Sequence, residues 1–147
     1  MMTLVDRALT LNPSFARVWH LSGVLRLWAG DPDLAIEHLE RSLRFSPRAR
    51  VGMSSLMIGA AHFVSRRFNA AVTNLLLARQ EDPTHPVPYR VLASCYALMG
   101  RLDEARETVE HLRAITPAAM PTVSPYRNPE HRELFRSRLR LAAGEAT

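Results

Sequence analysis

The sequence predicts an all-α protein: a solenoid of stacked helical hairpins with a C-terminal capping helix. Pro13, Pro47, Pro83 and Pro117 recur at spacings of 34, 36 and 34 residues, a beat that few folds keep. Between the prolines small residues recur in phase, Gly23 with Gly59 and Ala93, Ala35 with Ala71 and Ala105, alongside a large apolar slot at Leu39, Leu75 and Val109. Each interval also splits into two helical patterns around a turn signal, "AGDPD" at 29–33, "SRRFN" at 65–69 and "MGRLD" at 99–103.

Residues 1–15, "MMTLVDRALTLNPSF", keep only the second half of a unit, with Val5, Ala8, Leu9 and Pro13 in phase. Repeats bury their apolar faces on their neighbours, so this orphan helix is expected to expose leucine or valine. The chain is therefore expected to be a piece of a longer protein, or to form a homo-oligomer that covers the exposed N-terminal helix.

The first full unit, 16–49, pairs Gly23 with Ala35, small enough for two helix backbones to approach closely. Its second helix opens with Asp31 as N-cap, Pro32 at the first position and Asp33 in the first turn. Glu37 precedes Arg41 by four residues and Glu40 precedes Arg44 likewise, the favourable order for surface pairs. His38 lies about 100° around the helix from Glu37, so this acidic run with its histidine reads as architecture rather than as a metal site. The second unit, 52–85, holds the most apolar window, "VGMSSLMIGAAHFV", too short to cross a bilayer and read as a buried helix. The third unit, 86–119, repeats the pattern. Each unit stops at its proline, which lacks an amide hydrogen and restrains the residue before it. After the Pro-rich connection "AAMPTVSPYR", a capping helix is expected over 128–143, with Asn128 as N-cap, Pro129 first and Gly144 as the stop. Leu134, Phe135 and Leu139 share one side of it.

Length and composition agree with one folded domain: 147 residues, 47% apolar and 22% charged. All nineteen basic residues are arginine, yet the net charge is only +5 and the arginines are scattered among acids, so nucleic acid is not an expected partner. The lone Cys95 builds no disulfide framework and reads as a small buried hydrophobe. The N-terminus lacks a signal-peptide pattern and no window spans a membrane, so a cytoplasmic location is expected.

These spacings resemble the tetratricopeptide repeat family, whose helical hairpins carry an aromatic, Leu-Gly, aromatic, Ala and Pro signature. The third unit matches most fully, through Tyr89, Leu92, Ala93, Tyr96, Gly100, Leu102, Ala105, Val109 and Pro117. The first supplies Trp19, Gly23, Gly30, Asp31, Ala35, Leu39, Ser42 and Pro47, but places Ser22 and Arg26 where apolar or aromatic residues are usual. The second supplies Ile58, Gly59, Phe68, Ala71, Leu75, Ala78 and Pro83, with Ser55 and His62 in the aromatic slots. The resemblance implies a right-handed α-solenoid whose first helices line a concave groove.

Carried onto this chain, the groove comprises Arg17, His20, Val24, Leu27 and Trp28, then Met53, Leu56, Ala60, Phe63 and Val64, then Val87, Arg90, Ser94, Ala97 and Leu98. It is largely apolar. Relatives that clamp a chaperone tail by its carboxylate use Lys, Arg and Asn in slots that hold Val24, Met57, Val87 and Val91 here, so such a clamp is disfavoured. The expected partner is a protein or peptide, an amphipathic helix or extended segment anchored near Trp28 and Phe63. The alternative occupant is the chain's own tail or a second subunit. No catalytic, cofactor or metal site is expected: the other histidines lack metal spacing, and no Gly-x-Ser-x-Gly or phosphate loop is present. Arg132, Arg136 and Arg140 form a basic strip suited to phosphate or an acidic face, or simply solvated. The "RNPEH" tail is also similar to C-terminal repeat regions of bacterial nucleotide cyclases and winged-helix regulators, which implies, as an alternative, a regulatory module of a multidomain signalling protein.

Overall fold

The apolar periodicity of about 3.6 residues folds into eight helices among the described residues, which are 2–48, 51–117 and 126–144 of this computed structural model, with backbone alone at 51 and 52. They are α1 (Met2–Leu11), α2 (Ala16–Ala29), α3 (Pro32–Phe45), α4 (Val51–Val64), α5 (Phe68–Glu81), α6 (Pro86–Leu98), α7 (Leu102–Ile115) and α8 (Pro129–Ala142). The hairpins α2/α3, α4/α5 and α6/α7 stack in chain order, each first helix packing on the hairpin before it. The result is an all-α, right-handed solenoid. No helix among the described residues is long and apolar enough to cross a membrane.

The three hairpin turns are the same turn. Gly30, Arg66 and Gly100 each adopt a left-handed conformation, with φ of 101°, 60° and 76°. In each, the following amide reaches back to the last turn of the first helix: Asp31 to the carbonyl of Arg26, Arg67 to that of His62 and Arg101 to that of Tyr96, all at 2.9 Å. Gly30 and Gly100 take this conformation without steric cost; Arg66 does not.

The small residues act where the helices cross. A Cβ on Gly23 would stand 2.5 Å from Leu39 Cγ and 3.0 Å from the Ala35 carbonyl oxygen, and one on Gly59 would stand 2.7 Å from Leu75 Cγ. The core runs through the array from Leu27 and Ala35 to Leu139, with Phe63, Leu75 and Leu92 fully enclosed. Two aromatics anchor the joints between units: the Trp19 indole donates to the Pro13 carbonyl at 2.6 Å and the Tyr89 hydroxyl to the Pro83 carbonyl at 2.7 Å.

Ser22 and Arg26, out of place in a tetratricopeptide pattern, satisfy one another. Ser22 Oγ and His38 Nδ1 lie 2.8 Å apart, Arg26 Nε donates to Ser22 Oγ at 3.1 Å, and Arg26 Nη2 pairs with Asp6 Oδ1 at 2.5 Å. This chain ties α1, α2 and α3 together, and the buried Ser22 and His38 find their partners in it. His38 also meets the Trp19 ring edge-on at 4.8 Å, and the Arg41 guanidinium lies over the same ring, 4.6 Å from its centroid.

Candidate partner groove

α8 folds as its caps predict: Asn128 Oδ1 accepts from the Glu130 amide at 2.9 Å, Pro129 opens the helix, and Gly144 is left-handed at φ 77°. Its position is not that of a next repeat. A first helix packs mainly on the second helix of the preceding hairpin; α8 packs mainly on α6, less on α7, and also reaches α4. It therefore lies over the first-helix face instead of lengthening the solenoid.

Three contacts fix that path. The Arg127 amide donates to the Trp28 carbonyl at 2.9 Å, at the far end of α2. Arg132 Nη1 donates to the carbonyls of Tyr126 and Arg127, both at 2.9 Å, bracing the chain where it turns into α8. Arg113 of α7 donates to the Ala143 carbonyl at 3.3 Å. Along the helix, Phe135, Leu139 and Ala142 are buried at i, i+4 and i+7. Phe135 sits edge-on to Phe63 at 6.2 Å, and Tyr126, itself buried, meets Phe135 at 6.2 Å. Burial pushes the Tyr126 phenol well above its ordinary value, so it stays neutral.

The groove residues read from the sequence divide under this cover. Leu27, Leu56, Ala60, Phe63 and Val64 are buried, as is Val24, which packs with Leu39 and Ile58. Trp28, Arg90 and Leu98 are half-buried, and Arg17 is exposed at the opposite end of α2. His20 is buried and its Nδ1 lies 3.0 Å from Ser54 Oγ; Ser94 is buried and its hydroxyl donates to the Arg90 carbonyl at 2.9 Å. Of the occupants weighed for the groove, the chain's own tail lies there in this structure.

Between tail and groove remains a cavity of about 240 Å³, lined by Leu27, Trp28, Leu56, Met57, Ala60, Val87, Arg90, Val91, Tyr126 and Phe135. Arg90 is the one charged residue in this lining. Tyr126 is the member that sequence reasoning missed, and an aromatic inside a Pro-rich connection was the available signal; Phe135 was read as part of the apolar side of the capping helix, without its place in the groove. The basic strip is broken up, because Arg132 is bound to backbone carbonyls while Arg136 and Arg140 are exposed. Cys95, buried in α6, has its thiol pushed up to about 12 by burial. Among the described residues no three His, Cys, Asp or Glu side chains gather as a metal site would require.

Residues 65–123 match the family model for the tetratricopeptide repeat. Comparison with curated protein sequences finds no significant match. Among solved structures the chain is similar to MamA, with a TM-score of 0.72 at 21% identity over 97% of this chain and 85% of that one. It is also similar to YrrB, described as a tetratricopeptide protein with an unusual peptide-binding site, with a TM-score of 0.66 at 19% identity over 97% of this chain and 76% of that one. A third is the first such domain of Spaghetti (RPAP3) bound to the HSP90 peptide SRMEEVD, with a TM-score of 0.65 at 19% identity over 88% of this chain and 94% of that one. At these identities the likeness is one of fold.

Proposed function

We propose that this tetratricopeptide-repeat solenoid is a non-catalytic scaffold whose concave groove binds an amphipathic helix of a protein partner, a place that α8 holds until the partner displaces it. The observation that supports this reading is α8 itself: an aromatic, a leucine and an alanine at i, i+4 and i+7 seated on the first-helix face against Phe63. Solved relatives in fold include one holding a peptide and one described as having a peptide-binding site. Where a carboxylate clamp would carry basic residues, Met57, Val87 and Val91 stand in the cavity wall, so the partner is an apolar helix face rather than a charged chain end.

The experiment is binding of a labelled peptide of residues 126–144 to the full chain and to its Phe135→Asp variant. The intact groove meets its own helix at an effective concentration of about millimolar, so free peptide at micromolar levels competes poorly. Phe135→Asp undocks α8, and peptide affinity should rise about 10-fold or more. Adding Trp28→Arg should remove the gain. Equal binding by the intact chain and a folded Phe135→Asp chain would sink the proposal.

A second contact is supported at the other end. Leu4 and Leu11 on α1 are 70% and 77% exposed. By phase Leu4 occupies the place of His38, which is covered because a first helix, α2, packs on it. Among the described residues α2 is the one helix that packs on α1 and Leu4 stays exposed, so a second copy would cover it. Light scattering should then show a dimer that Leu4→Glu dissociates; a monomer for the unaltered chain rejects the contact.

A further inference from the structure

The groove under α8 is partly covered and not filled. A cavity of about 240 Å³ remains between Leu27, Trp28, Leu56 and Ala60 on the solenoid side and Tyr126 and Phe135 on the tail side. An engineered apolar cavity of about 150 Å³ takes up benzene, so this one has room for a ring or a medium-length chain. Its lining is aromatic and aliphatic except for Arg90, which is half-buried on α6. Apolar walls with one placed charged group make a small-ligand pocket, in which the walls supply affinity and the charge supplies orientation.

The geometry points to a binding site for a small apolar acid, an aromatic or medium-chain carboxylate, with its hydrocarbon part against Trp28, Ala60 and Phe135 and its carboxylate toward Arg90. Arg90 is not without a partner in the protein. A guanidinium carries five N–H donors, so a carboxylate adds to what it already holds. Desolvation lowers the Arg90 pKa, the mark of a cation stripped of water that an anion at the pocket would compensate.

Because the wall is built partly from Tyr126 and Phe135, the ligand and the tail share one equilibrium. A bound acid holds α8 in place, and displacement of α8 opens the pocket. The inference rests on the docked tail, as the proposed function does, but needs no partner.

The test is calorimetric titration of the full chain with octanoate, with octylamine as the charge-reversed probe. Octanoate should bind about 10-fold or more tighter than octylamine. Arg90→Leu should erase that preference while leaving the helical circular dichroism intact, and Arg90→Gln serves if the leucine variant fails to fold. Ala60→Phe, which fills the space, should abolish binding. Saturating octanoate should also weaken capture of the 126–144 peptide by the intact chain. No binding of octanoate, equal binding of the two probes, or undiminished binding by a folded Ala60→Phe chain overturns the inference. Octanoate binding with no peptide capture by Phe135→Asp would reject the helical partner alone, and the converse would reject the acid site alone.

Discussion

Gly23→Ala is expected to destabilise the protein although alanine is the better helix former. Within a helix the exchange favours alanine by about 1 kcal/mol. Here the new methyl would stand 2.5 Å from Leu39 Cγ and 3.0 Å from the Ala35 carbonyl oxygen. The first neighbour is mid-chain in a fully buried residue and the second is backbone, so α2 and α3 have to separate. Overpacking of this kind costs about 1–3 kcal/mol, which leaves a net loss of about 1 kcal/mol. The third hairpin shows the compensation. There the in-phase residues are Ala93 and Val109 instead of glycine and leucine, and both are buried. Leu39→Val by itself should cost about 1 kcal/mol for the lost methylene. Combined with Gly23→Ala it should recover the strain, with a coupling of about 1–2 kcal/mol between neighbours in direct contact. Urea unfolding of the four proteins, comparing midpoints at constant m, measures that coupling. A stabilising Gly23→Ala, or two changes that add within about 0.3 kcal/mol, would refute the close-approach argument.

Arg66→Gly should raise stability by about 0.5–1 kcal/mol in the same assay, since a non-glycine residue at φ 60° costs about 1–2 kcal/mol and glycine returns part of that through the flexible unfolded chain; a loss of stability would contradict it. Asp31→Ala should cost about 1 kcal/mol, because Asp31 Oδ1 accepts the Leu34 amide at 3.2 Å as the cap of α3. His38, His62 and His131 are all held below the ordinary 6.5, first by burial, and for His38 and His62 next by Arg26 and Arg67. The unfolded chain thus binds more protons just below that value, so the stability these groups contribute is complete above pH 6.5 and lost as pH falls below it. The melting temperature should drop from pH 7.5 to 5.5, and a rise on acidification would contradict the shifts.

Much of the fold was legible because its determinants are local. The glycines at the turns and the small residues at the helix crossings refer to partners within one hairpin, and the prolines mark the joint to the next. Asp31 and Asn128 cap their helices by accepting from amides two or three residues away, and Pro129 opens α8. The polar chain from Asp6 through Arg26 and Ser22 to His38 was not legible. Bonded partners in it are separated by as much as 20 residues, and Ser22 and Arg26 taken singly look like faults in the pattern.

The same division separates the groove from its cover. The resemblance to the repeat family implied a groove holding Leu27, Leu56 and Phe63, and residues on one side of a helix stay together whatever packs on them. The pattern of α8 likewise showed an apolar side with Phe135 and Leu139. That side suits either the end of the stack, as a further repeat would use it, or the first-helix face. The choice lies in contacts distant in sequence: Arg127 on Trp28, Phe135 on Phe63, Arg113 on Ala143. A helical period specifies which residues face inward and carries no information about which surface they face, so the folding of the tail into the groove emerges from the assembled solenoid.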